Sequence, residues 1–146
     1  TSTLYACAVR GQLDIDIAVI DLDHLKQINE TYGRDAGDEV LKEVADALRT
    51  VIRSTDLLAR MEGDRFSLLT VNVDAEARGE FFNSLREAIS ELTFSFDGRD
   101  VKVTASIGVT SALEDTIENM VIRADETMRK AKEMGRDITH FAERIV

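Results

Sequence analysis

Three acidic residues stand where chemistry could be done. Asp21 and Asp23 close an apolar run as Asp21-Leu22-Asp23, and Asp64 follows a glycine in Glu62-Gly63-Asp64. Carboxylates gathered at a strand end, with backbone carbonyls beside them, suit Mg²⁺, a hard cation that takes oxygen ligands and keeps open positions for phosphate. A metal held this way can bring a hydroxyl to attack a phosphate in line, with pyrophosphate leaving. Solvated or helix-capping acids would produce the same Asp-x-Asp, and the spacing alone leaves both readings open.

The elements that must position these acids can be read from periodicity. Residues Asp14 to Ile20 alternate charged and apolar before becoming wholly apolar, a strand that ends at the first two acids. A short helical stretch follows. From Gly37, the residues Val40, Leu41, Val44, Leu48, Val51 and Ile52 share one helical face. The β-prone runs Asp56 to Met61 and Arg65 to Val71 flank Gly63, so a hairpin is expected with Asp64 at its tip. A second amphipathic helix is expected from about Asp74 to Leu92, burying Phe81, Phe82, Leu85, Ile89 and Leu92, and Asp97-Gly98 turns a second hairpin. Its return strand is expected to run unbroken through Val101, Val103, Ala105, Ile107 and Val109, which alternate with polar or small residues. A last helix carries Ile117, Val121, Ala124 and Met128 and closes at Gly135, before a final strand near Ile138 to Phe141. This order predicts an α+β fold, an elaborated ferredoxin-like palm. Its central, mostly antiparallel sheet is flanked by helices and carries an extra β-hairpin. Such a core brings the end of the first strand beside the first hairpin, and so Asp21 beside Asp64.

Bulk composition excludes several alternatives. At 146 residues the chain fits one domain, 1–146, and its 44% hydrophobic and 32% charged residues are ordinary for a globular protein. No apolar run approaches the roughly 18 residues of a membrane span, so no membrane contact is expected. The lone Cys7 excludes a disulfide framework and a cysteine metal cluster, and a cytoplasmic setting fits. A formal charge of −10 argues against general nucleic-acid binding, although a few local cations among the 18 basic residues could hold a single nucleotide. His24 and His140 offer no spacing for zinc or for a nucleophilic triad, and Phe81, Phe82, Phe94 and Phe96 fall on core periodicity.

The run Asp21-Leu22-Asp23-His24-Leu25-Lys26-Gln27-Ile28-Asn29-Glu30-Thr31-Tyr32-Gly33, followed by Asp35-Ala36-Gly37-Asp38, resembles the opening motif of the GGDEF family of bacterial diguanylate cyclases. The resemblance continues through Ser106-Ile107-Gly108-Val109 and from Ala124-Asp125 to Gly135-Arg136, covering most of the chain from about Asp14. It implies a nucleotidyl-cyclase palm, with Asp21 and Asp64 as catalytic Mg²⁺ ligands and the Leu22 carbonyl as a backbone ligand. Asn29 and Asp38 match the positions that recognise guanine, where an amide and a carboxylate meet the base's acceptors and N–H donors. Lys26, Lys132 and Arg136 match phosphate-contacting cations, and the last two, four apart, are expected on one helix face.

The pattern departs at the family's signature, two glycines, two acids and a phenylalanine, which here reads Glu62-Gly63-Asp64-Arg65-Phe66. A glutamate at the first position adds a side chain and a negative charge where backbone should approach a triphosphate. Arg65 replaces an acid with a cation that cannot ligate a metal or accept a proton. At ~5 Å and an effective dielectric of ~20, a unit-charge pair is worth roughly 3 kcal/mol. A loss of ~4 kcal/mol in the transition state slows a reaction about a thousandfold. An arginine near phosphates can still help bind GTP. Residues 1–13 lack the segments that usually precede the first strand, and are atypical or trimmed.

Arg53-Ser54-Thr55-Asp56 has the spacing of the family's inhibitory Arg-x-x-Asp site for cyclic di-GMP, where arginine and carboxylate would read a guanine edge. A plain ion pair would look the same, and Arg86 is the nearest candidate for a supporting arginine. The expectation is a degenerate diguanylate cyclase domain that binds cyclic di-GMP or GTP rather than catalysing. The alternatives are an active cyclase that condenses two GTP with Mg²⁺ across a homodimer, and a non-binding docking domain. Either would sit beside a sensor or phosphodiesterase domain, in the cytoplasmic part of a larger signalling protein.

Overall fold

The computed structural model describes residues 15–61, 65–71, 77–111 and 117–141. β1 (Ile15–Asp23) leads through the single residue His24 into α1 (Leu25–Tyr32), and Gly33 separates α1 from α2 (Arg34–Val51). β2 (Leu57–Arg60), β3 (Arg65–Val71) and α3 (Arg78–Ser90) follow. Then come β4 (Phe94–Phe96), β5 (Arg99–Val101), β6 (Thr104–Ser111), α4 (Ile117–Glu133) and β7 (Thr139–Phe141). The main sheet has the order β2-β3-β1-β6-β7, with only β6 and β7 parallel, and β4 and β5 form a separate hairpin. The expected α+β palm is therefore present.

β1 is buried almost throughout because it is central and both its faces are covered, which explains why its sequence becomes continuously apolar. Ala18, Ile20 and Leu22 pack with Val40, Val44 and Leu48 of α2 and Phe82, Leu85 and Ile89 of α3. Ile17 and Val19 face the other way, onto Met120, Ala124 and Met128 of α4. Each fully buried side chain of this size contributes about 1.5–3 kcal/mol relative to exposure. α2 carries the longest apolar stripe, with Asp35 in its first turn and Arg49 in its last, each favourable to the helix dipole.

The register fixes the site. Asp21 lies opposite Arg65 in the β1–β3 ladder and opposite Ser106 in the β1–β6 ladder. The Met61 N–H donates to the Arg65 carbonyl at 2.9 Å and closes the β2–β3 hairpin. Residues 62–64 lie outside the described residues, and with them Glu62, Gly63 and Asp64 of the signature and the expected approach of Asp64 to Asp21; Arg65, the next residue, stands across from Asp21.

Two expectations are corrected. The alternation from Val101 to Val109 is not one strand. β5 ends at Val101 in the small hairpin, and β6 begins at Thr104 in the main sheet. Lys102 and Val103 carry the chain between two separate sheets while the apolar alternation continues through them. Nor do Lys132 and Arg136 share a helix face. α4 ends at Glu133, Gly135 takes a φ of +120°, and the Gly135 and Arg136 amides close back on the Lys132 and Ala131 carbonyls. Arg136 thus lies beyond the helix, in the turn that leads to β7. The second amphipathic helix is described from Arg78, and its expected start near Asp74 lies outside the described residues.

Candidate functional site

Asp21 and Asp23 both point to the α4 side of the sheet, as their i, i+2 spacing on a strand requires, yet they do different things. Asp23 is completely buried. Its carboxylate accepts hydrogen bonds from the Thr104 and Ser106 hydroxyls, each at 2.7 Å, and from the Asp137 amide at 3.0 Å. Those three donors, two from β6 and one from the turn after α4, make Asp23 the hub that seats the end of α4 against the sheet. Asp21 is nearer solvent, and the Lys132 ammonium lies 3.0 Å from its Oδ2 and 3.8 Å from Asp23 Oδ1. Among the described residues no three His, Cys, Asp or Glu side chains gather as a metal cage. The donor set at Asp21, a strand-end carboxylate that already holds a cation with the Leu22 backbone beside it, nevertheless suits a hard divalent ion shared with a ligand.

The second half of the corner is built by α1 and α2. Gly33, with φ +96° and ψ 165°, turns the chain between them in a conformation that side chains resist. The turn lays Asn29 over Gly37, so closely that a Cβ on Gly37 would fall 1.7 Å from Asn29 Oδ1. That oxygen is buried and has no hydrogen-bond partner. Leaving a buried amide acceptor unmade costs about 1–3 kcal/mol. Asp38, the residue after Gly37, is exposed, as is Lys26 in the first turn of α1. Asn29 thus lies next to the segment that carries Asp38.

Arg65 projects toward α4, where its guanidinium is 2.7 Å from Asp125, which also pairs with Arg129 at 3.0 Å. A groove of about 470 Å³ lies over this triad, lined by Met61, Val121, Ile122 and Glu126 besides the three charged residues. Phe66, the last signature residue, is fully buried among the side chains that face α2 and α3.

A family model described as diguanylate cyclase, GGDEF domain, matches residues 1–138. The chain belongs to the GGDEF family. Diguanylate cyclase DgcP of Pseudomonas aeruginosa is 38% identical over 125 residues, which make up 85% of this chain and 19% of that protein. The chain therefore spans about a fifth of that relative's length. Among solved structures, the GGDEF domain of DgcB from Caulobacter crescentus in complex with c-di-GMP matches with a TM-score of 0.90 at 26% identity, covering 97% of this chain and 85% of that one. Diguanylate cyclase SiaD in complex with its activator SiaC from Pseudomonas aeruginosa matches with a TM-score of 0.90 at 33% identity, covering 97% and 55%.

Within this GGDEF domain the Arg-x-x-Asp pair lies at the opposite end of β3 from Asp21. Asp56 is buried and spends both carboxylate oxygens on Arg53, which donates from its backbone amide at 2.8 Å, from Nε at 3.3 Å and from Nη2 at 2.9 Å. Arg53 also donates to the Val71 carbonyl and lies 5.8 Å from the centroid of Phe81. Arg86 does not join this pair; it holds Asp137 at 2.8 Å, near Asp23.

Sequence reasoning missed four contributors: Asp23 as a buried hub, Gly37 as the space for Asn29, Asp125 as the partner of Arg65, and Gly108. A Cβ on Gly108 would lie 2.1 Å from the Met128 nitrogen and 2.3 Å from the Ala124 carbonyl oxygen, so this glycine lets α4 touch β6. Gly37 and Gly108 both stand inside the quoted motif blocks, which was the available signal.

Proposed function

We propose that this GGDEF domain serves cyclic di-GMP signalling as a nucleotide-binding module that takes GTP at the corner of β1, α1 and α2, with catalysis weakened by Glu62 and Arg65. The observation that carries the reading is the Asn29 amide laid over Gly37, beside the exposed Asp38, which puts a carboxamide and a carboxylate at one corner. Those two groups can meet a guanine's acceptor edge and its N–H donors.

In this reading Asn29 and Asp38 hold the base, and Lys26, Lys132 and Arg136 meet the phosphates. Asp21, the Leu22 carbonyl and Asp64 would hold Mg²⁺, which when bound would neutralise the triphosphate. Asp23 keeps Asp21 and the last turn of α4 in register without touching ligand. Glu62 opposes the triphosphate, and Arg65 removes an acid from the hairpin. A sensor or phosphodiesterase domain elsewhere in the protein would supply the input.

Isothermal titration of the full chain with GTP and Mg²⁺ tests this. Saturable binding is expected, weakened by about tenfold to a hundredfold in Asn29→Ala. Absence of binding at high micromolar nucleotide, or equal affinity in the variant, overturns the proposal.

A second reading, retained cyclase activity, is favoured by one contact. Asp125 engages Arg65 and offsets its charge, so the substitution weighs less on the metal carboxylates than a lone cation would. Chromatographic detection of cyclic di-GMP from a forced dimer of the unaltered chain decides for that reading. Product from Glu62→Gly, Arg65→Glu alone decides for binding as the native output.

Cyclic di-GMP at Arg53 and Asp56 is the weaker binding proposal, because a ligand must first break a pair that uses every oxygen of a buried carboxylate.

A further inference from the structure

We infer that the Lys132 ammonium is a stand-in for the divalent cation at Asp21: it occupies the carboxylate while nucleotide is absent and gives up that place when cation and triphosphate enter together. The inference rests on Asp21 being a metal ligand, as proposed above, and adds how that ligand is kept from binding metal alone.

The stem of Lys132 is rooted in the last turn of α4, beside the fully buried Ala131 and above the close contact of α4 with Gly108. From there Nζ reaches between two carboxylates, 3.0 Å from Asp21 and 3.8 Å from Asp23, with the side chain 23% exposed. A divalent ion on Asp21 Oδ2 would lie within about 5 Å of that ammonium, and like charges so close repel. The two cations therefore compete for Asp21.

Displacing Lys132 leaves little damage behind. Asp23, completely buried, retains the Thr104 and Ser106 hydroxyls and the Asp137 amide, so it is not left as an unmet buried charge. Asp21 exchanges one cation for another. Lysine is a compact charge on a flexible stem with three rotatable donors, suited to a second station on phosphate oxygens. The consequence is coupling: divalent affinity is held down in the free domain and recovers only when an incoming triphosphate gives Lys132 somewhere else to go.

Mn²⁺ titration of the nucleotide-free full chain, followed by the electron paramagnetic resonance signal of free Mn²⁺, tests this independently of catalysis. Lys132→Met should bind Mn²⁺ about tenfold more tightly than the unaltered chain. Lys132→Arg, which retains the charge, should not gain affinity, and Asp21→Asn should lose binding in either background. If Lys132→Met binds no more tightly while Asp21→Asn still abolishes binding, the stand-in role is overturned and the metal reading survives. If no variant binds Mn²⁺ even with GTP present, the metal reading falls and this inference with it. Thermal melts of each variant establish that it is folded.

Discussion

The two ends of β3 carry polar clusters of similar composition in opposite states. At the Val71 end, Arg53 and Asp56 satisfy one another through three hydrogen bonds, and Arg53 has a backbone carbonyl and an aromatic ring besides. At the Arg65 end, across the ladder at Asp21, a lysine occupies a carboxylate that a metal could take, and one helix further on Asn29 has an oxygen with nothing to accept from. Folding accounts for the first cluster completely, because it leaves no buried polar atom of the pair unmet. Folding does not account for the second, where a buried acceptor is tolerated at a cost in stability. The difference between a closed pair and an open corner is not one of residue type, since arginine, lysine and aspartate serve in both.

The largest expected effect would break this comparison most directly. Asp56→Ala should destabilise the domain by about 2 kcal/mol, because it removes the carboxylate that accepts three hydrogen bonds from Arg53, one of them from a backbone amide. Urea denaturation measures this, and GTP affinity should be unchanged. If stability holds while cyclic di-GMP binding is lost, the closed pair is a ligand site and the contrast between the two ends of β3 disappears.

The sequence carried the order of elements because each signal was local. The apolar run of β1, the stripe of α2 and the β-prone runs that pair as β2 and β3 need no knowledge of neighbours. Failure came where one pattern crossed a tertiary boundary. Alternation from Val101 to Val109 persists through Lys102 and Val103, although the chain changes sheets there. The spacing of Lys132 and Arg136 looks helical, but Gly135 ends the helix between them. At the site, Asp21 and Asp23 are equivalent by type and by face; only the depth set by Thr104 and Ser106, some eighty positions downstream, distinguishes the partly exposed acid from the buried hub. The partnership of Asn29 with Gly37 depends on how α2 folds back over α1, and no periodicity encodes that angle.

Gly37→Ala sharpens the contrast by separating stability from binding. A helical glycine replaced by alanine gains about 1 kcal/mol of propensity, and the atom the new Cβ meets is the far end of a side chain that can rotate away. Stability should be unchanged or higher. GTP affinity should fall about tenfold, since Asn29 is moved off the position where its amide faces the base. A loss of stability without a loss of affinity would mean that Asn29 is a packing residue whose missing partner has no bearing on ligand.

The smallest effects concern Asp125, which holds Arg65 on one side and Arg129 on the other. The second pair lies within one helix, four residues apart, and Arg129 is 68% exposed. Such pairs contribute about 0.3–0.5 kcal/mol, so Arg129→Ala should barely move the urea midpoint. Arg65 is 28% exposed and joins two elements, tying the start of β3 to α4. Arg65→Ala should therefore cost more, about 1 kcal/mol, with a larger coupling to Asp125→Ala than the Arg129 cycle shows. The ordering matters beyond its size. If Arg65 couples to Asp125, its charge is directed to α4, and the departure at the fourth signature position strengthens the hairpin's anchorage while removing an acid. If the two arginines prove equal and weak, Arg65 is not held by α4 and its cation bears on Asp21, which is the case for lost catalysis in its strongest form.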